Sequence, residues 1–67
     1  MEFTLQGPFI ELDNLLKHTG AVPHGAAAKG LVRQGEVRVN GEPETRVRRK
    51  LRKGDRVTFQ GQDIVLV

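Results

Sequence analysis

The 67-residue chain has no cysteine, no tryptophan, no tyrosine and a single methionine. Without cysteine there is no disulfide staple and no thiolate metal site. The two histidines, His18 and His24, cannot close a metal site without carboxylate help. No metal and no cofactor is expected. No apolar run approaches the ~18 residues that a membrane helix needs, and Met1–Leu5 lacks the basic region and long apolar stretch of a secretory signal. No membrane partner is expected, and the composition is compatible with the reducing cytoplasm. At 7.5 kDa the chain is one domain, residues 1–67. A domain of this size buries only about 60% of the surface its unfolded chain exposes, which leaves no cleft between lobes for catalysis.

The remaining residues offer little reactive chemistry. Asp13 and His18 are poorly spaced for a catalytic pair. Glu42 and Glu44 could share a strand face, and paired carboxylates serve acid–base catalysis, but Arg46 and its neighbours more simply neutralise them. Gly25–Gly30 lacks the Gly-Lys-Ser/Thr of a nucleotide-hydrolase phosphate loop. No catalytic residue is expected. His24 is expected as a turn residue or weak cap, and His18 as structural or solvated.

What the sequence does have is concentrated positive charge. The net formal charge is +3, with a pI near 10.0, and it is unevenly distributed. Residues 1–28 sum to −2, residues 29–56 to +6 and residues 57–67 to −1. Six cations fall within the eight residues Arg46–Lys53: Arg46, Arg48, Arg49, Lys50, Arg52 and Lys53. Such a run points to a polyanionic partner. Guanidinium groups suit phosphates because their planar fork can grip two oxygens and stays charged at any working pH. In an extended stretch Arg46, Arg48, Lys50 and Arg52 would share one face, while Val47 and Leu51 anchor the other.

Hydrophobic patterning gives the order of elements. Phe3 and Leu5 alternate with polar neighbours, as in a short strand. Gly7-Pro8 ends it, and Pro8 suits a helix start. Phe9, Leu12, Leu15 and Leu16 fall on one helical face, which predicts a first helix over 9–19 ending at Gly20. A second helix is predicted over Gly25–Gln34, with Ala28, Leu31 and Val32 inward and Lys29 and Arg33 four residues apart on a neighbouring face. Val37 and Val39 lead into Asn40-Gly41, a strong hairpin signal because both residues tolerate positive φ. Pro43 suits an edge strand. Val57 and Phe59 alternate in a further strand, Gly61-Gln62 is read as a turn, and Asp63–Val67 closes the chain. The predicted core is Phe3, Leu5, Phe9, Leu12, Leu15, Leu16, Ala28, Leu31, Val32, Val37, Val39, Leu51, Val57, Phe59, Ile64 and Leu66. The order predicts an α+β fold with two helices on a small antiparallel β-sheet. With all three phenylalanines assigned to the core, single-strand recognition by stacking is not expected, and recognition by shape and phosphates is.

Four segments together resemble a known family. They are Leu12-Asp13-x-x-Leu16; Ala28-Lys29-x-Leu31-Val32-x-x-Gly35; Val37-x-Val39-Asn40-Gly41; and Gly54-Asp55-x-Val57. Their order and spacing, over roughly residues 9–60, resemble the S-four RNA-binding domain with its alpha-L motif. The likeness is greatest to the small stand-alone bacterial members, which often share a pattern seen here as Glu44-Thr45-Arg46-Val47-Arg48-Arg49-Lys50. The resemblance implies a two-helix L on a β-sheet and a structured RNA partner, ribosomal or transfer RNA, in a ribosome-associated monomer. It places Lys29, Arg33, Arg46, Arg48, Arg49 and Lys50 on the RNA face, and the charge run adds Arg52 and Lys53. Many members open the second helix with Ser-Arg, where this chain has His24-Gly25. The alternative is a protein-interaction module whose basic face docks an acidic partner. A sulfur-carrier reading is disfavoured by the Ile64-Val65-Leu66-Val67 ending, which lacks Gly-Gly. A pseudouridine synthase or tRNA synthetase would need a catalytic domain beside this one.

Overall fold

Two tight hairpins set the register of the main sheet. The computed structural model describes all residues, Met1–Val67. Asn40 and Gly41 have φ of 53° and 86°, the left-handed pair that a two-residue hairpin turn requires. They join β3 (Val37–Val39) to β4 (Glu42–Pro43), and Pro43 lies in the sheet's edge strand. The second hairpin joins β6 (Arg56–Phe59) to β7 (Gln62–Leu66) through Gln60-Gly61, one residue earlier than predicted. Thr58 faces Asp63 across it, and the Thr58 hydroxyl donates to the Asp63 carboxylate at 2.8 Å.

The five-stranded sheet runs β1-β7-β6-β3-β4, where β1 is Glu2–Phe3. Every pairing is antiparallel except β1 with β7, which is parallel, so the sheet is mixed at one edge. Alternation along β3, β6 and β7 puts Val37, Val39, Val57, Phe59, Ile64 and Leu66 inward, all buried.

Two helices pack against each other and complete the core. They are α1 (Leu12–His18) and α2 (Gly25–Arg33). Each ends in a glycine with positive φ and the paired closing hydrogen bonds of a Schellman motif. After α1, Gly20 N–H donates to Lys17 C=O and Ala21 N–H to Leu16 C=O; after α2, Gly35 N–H donates to Val32 C=O and Glu36 N–H to Leu31 C=O. His24 is the N-cap of α2, and its Nδ1 accepts from Ala27 N–H at 3.2 Å.

The first helix begins three residues later than predicted. Ile10–Glu11 form β2, paired antiparallel with β5 (Lys50–Leu51). Glu11, the N-cap of α1, makes no side-chain cap; instead Leu12 N–H donates to Arg49 C=O and Asp13 N–H to Val47 C=O. Two of the four free donors that a helix start carries are thus satisfied by carbonyls of a segment distant in sequence. That pairing draws the chain out of the helix before Leu12.

The core departs from expectation at four positions. Phe9 precedes β2 and is 38% exposed, not buried. Phe3 and Leu31 are half-buried at the core's margin. Val22, in the connection between the helices, is a core residue absent from the predicted set. Its N–H and that of Ala21 both donate to Leu16 C=O, which folds it under the helices.

Candidate nucleic-acid interface

The basic run is less extended than its alternation suggested. Only Lys50–Leu51 is strand; residues 44–46 are irregular, and Arg46–Arg49 make a turn closed by Arg49 N–H on Arg46 C=O at 3.2 Å. Leu51 is fully buried and Val47 packs at the core's edge, so these two anchor the segment as expected. Its backbone is fixed from the other side by α1, through the Arg49 and Val47 carbonyls. The loop therefore has a defined shape despite its charge.

That shape depends on Glu44, the one buried charged residue. Its N–H donates to Val37 C=O, extending the sheet register by one bond. Its carboxylate accepts four hydrogen bonds: from Arg46 N–H at 3.1 Å, Arg46 Nε at 3.0 Å, Arg46 Nη2 at 2.9 Å and Arg49 Nη1 at 2.7 Å. The Arg46 side-chain bonds, foremost, and then those of Arg49 and the Arg46 N–H hold the carboxyl down to about 2 against the opposing effect of burial. Two like-charged side chains thereby share one counter-charge and stand close together. Arg46 keeps 70% of its side-chain exposure and Arg49 30%.

A second carboxylate closes the far end. Asp55 Oδ2 accepts from Arg52 N–H at 2.8 Å, and its Oδ1 accepts from the Asn40 amide at 3.0 Å. The Asn40 side-chain oxygen in turn accepts from Arg56 N–H at 3.0 Å. Burial pushes the Asp55 carboxyl up, but the Arg52 N–H, the Asn40 amide and the charges of Arg49 and Arg52 outweigh it and leave the group below its ordinary range.

An open groove of about 730 Å³ is lined by Arg46, Arg48, Arg49, Lys50, Arg52 and Asp55, with no hydrophobic residue in its wall. Five of the eight predicted site residues meet there. Arg48, Lys50 and Arg52 are exposed and form no ion pair, so their charge is available to a ligand. Lys53 is exposed but does not line the groove. Lys29 is half-buried and Arg33 exposed on α2, and neither lines it.

Two contributors escaped sequence reasoning and a third is legible only in part. Arg46 and its neighbours neutralise Glu44, as its place two residues before Arg46 implies, but its burial and its hold on the orientation of both Arg46 and Arg49 are not visible in the sequence. Asp55 enters the sequence reading only within the Gly54-Asp55-x-Val57 segment. Phe9 was assigned inward, whereas its ring lies under the Lys50 ammonium, with Nζ 4.9 Å from the centroid, a cation–π contact that steadies Lys50 at the groove's rim.

Comparison with known proteins gives a consistent picture. Residues 3–67 match the S4 domain family. The chain is 42% identical over 60 residues to the "Putative RNA-binding protein YbcJ" of Escherichia coli (strain K12), covering 90% of this chain and 86% of that protein. The Shigella flexneri protein YbcJ matches to the same extent. The solution structure of E. coli YbcJ, described as revealing an αL motif involved in RNA binding, superposes with a TM-score of 0.75 at 40% identity, covering 98% of this chain and 85% of that one.

Proposed function

This chain belongs to the S4 domain family, and on that premise we propose that it is a non-enzymatic RNA-binding protein whose basic groove seats the backbone of a structured RNA. The observation that carries the reading is the groove itself: five cations on a frame fixed by β5, α1 and Glu44, with Arg48, Lys50 and Arg52 in no ion pair. Phosphates need positive charge and donors, not apolar contact. A protein partner would be met by apolar or aromatic anchors at the centre of the patch, and the groove wall holds none.

The geometry supports a division of labour. Arg46 and Arg49 are held in fixed orientation by Glu44 and present their outer N–H groups. Arg48, Lys50 and Arg52 supply the unpaired charge. Lys29 and Arg33 on α2, with Lys53, are assigned flanking phosphates beyond the groove. The RNA class we propose is ribosomal or transfer RNA, bound by a cytoplasmic monomer in association with the ribosome.

The direct test is fluorescence anisotropy with a labelled ribosomal-RNA stem-loop, comparing the wild type with Arg48→Ala and Arg52→Ala. Both substitutions leave the Glu44 ion pairs intact. Each should weaken binding several-fold, to a similar degree for unrelated structured RNAs, and reduce the salt dependence by about one unit of slope. Unchanged affinity in both variants would reject the groove as the binding face. Partners recovered from cells should be lost on ribonuclease treatment; partners that persist would favour an acidic protein instead.

A further inference from the structure

A second depression adjoins the basic groove, and its chemistry is different. It has a volume of about 380 Å³, at the small end of ligand sites, with walls of Phe3, Leu5, Phe9 and Ile10 and a polar margin of Thr4, Gln6 and His18. None of those three polar side chains makes a hydrogen bond within the protein. Phe9 links the two sites through Lys50. It borders this pocket, and its ring carries the Lys50 ammonium that lines the groove. The β2–β5 pairing, Ile10 with Leu51 and Glu11 with Lys50, fixes the two sites side by side.

We propose that this pocket receives one unpaired base of the RNA whose backbone lies in the groove, stacked on the part of the Phe9 ring that Lys50 leaves free. The inference rests on the RNA reading above and adds a substrate class to it: paired RNA interrupted by a bulged or looped-out nucleotide. Three features select a base as the occupant. The aromatic wall offers a π-face, on which any base can stack. The margin offers an amide, a hydroxyl and an imidazole, donors and acceptors suited to a base edge. The Lys50 ammonium lies against the Phe9 ring, and its charge suits the phosphate attached to that base. Unstacked bases in bulges and loops are the parts of folded RNA that side chains can reach. Phe9 is 38% exposed, which leaves its ring within reach of a ligand.

The test uses the full chain and two labelled hairpins that differ only by one unpaired purine in the stem, with dissociation constants read by anisotropy. The wild type should prefer the bulged hairpin about five- to 150-fold, the range expected for one base stacked on an aromatic ring. Phe9→Leu keeps an apolar side chain but removes the ring. It should bring the bulged hairpin down to the affinity of the paired one, while Phe9→Trp retains the preference. Any loosening of Lys50 would weaken both RNAs alike, so the ratio is the diagnostic quantity. Equal binding of the two hairpins by the wild type, or a Phe9→Leu variant that discriminates as the wild type does, overturns the pocket assignment and leaves the groove standing. If neither hairpin binds, the RNA reading itself falls, and this inference with it.

Discussion

Replacing Glu44 by glutamine removes one negative charge and leaves Arg46 and Arg49 facing a neutral amide. The Glu44 carboxyl titrates near about 2 in the folded chain against an ordinary 4.5. Full linkage across that interval would contribute about 3 kcal/mol to folding at neutral pH. Arg46, its main partner, keeps 70% of its side-chain exposure, so water screens the interaction and reduces the contribution to about 1–2 kcal/mol. In a domain of this size each kcal/mol moves the melting temperature by about 4–8 °C, and Glu44→Gln should melt about 5–15 °C below the wild type at pH 7. The sign of the pH dependence follows from a folded value below the unfolded one. The stabilisation is present in full above pH 4.5 and is lost as pH falls toward 2. Thermal melts followed by circular dichroism should therefore show the two proteins converging between pH 4.5 and 2. A gap that stays constant over that interval, or no gap at pH 7, would refute the assignment of Glu44 as the charged centre of the loop.

Two further outcomes test the frame that holds the groove. Asn40→Ala removes the side-chain bonds to Asp55 and Arg56 N–H and puts alanine at a φ of 53°; urea unfolding should show a loss of about 2–3 kcal/mol, of which Asn40→Gly recovers the backbone part, about 1 kcal/mol. Val22→Ala opens a cavity under both helices and should cost about 1–3 kcal/mol, whereas a change within a few tenths of that of a surface valine would show that Val22 is not packed as described.

Local chemistry made much of this fold legible. Asn40-Gly41 encodes its own turn through two residues that accept positive φ, and the strands beside it follow by alternation. The second helix was placed within a residue, because Gly35 and the Ala28–Val32 stripe mark its end and its buried face. What failed did so where a distant segment overrode local preference. Pro8 and the apolar spacing from Phe9 favour a helix, yet Ile10 and Glu11 pair with Leu51 and Lys50 from the far end of the chain, and that pairing leaves Phe9 at the surface. Val22 sits in an irregular connection, where no periodicity reports burial. The site divides in the same way. The cation run is visible as composition, and five of its members do meet in one groove. That Arg46 and its neighbours neutralise Glu44 is legible from their spacing; that Glu44 is buried while it does so, and that Asp55 braces Arg52, depends on turn geometry that charge counting does not contain.

The central claim is that a fixed cluster of cations meets a phosphate backbone, and the salt dependence of affinity tests it most directly. With roughly three to six phosphates neutralised, a plot of log affinity for a structured ribosomal-RNA fragment against log salt concentration should be linear with a slope of roughly −2 to −5. A slope indistinguishable from zero would contradict the account.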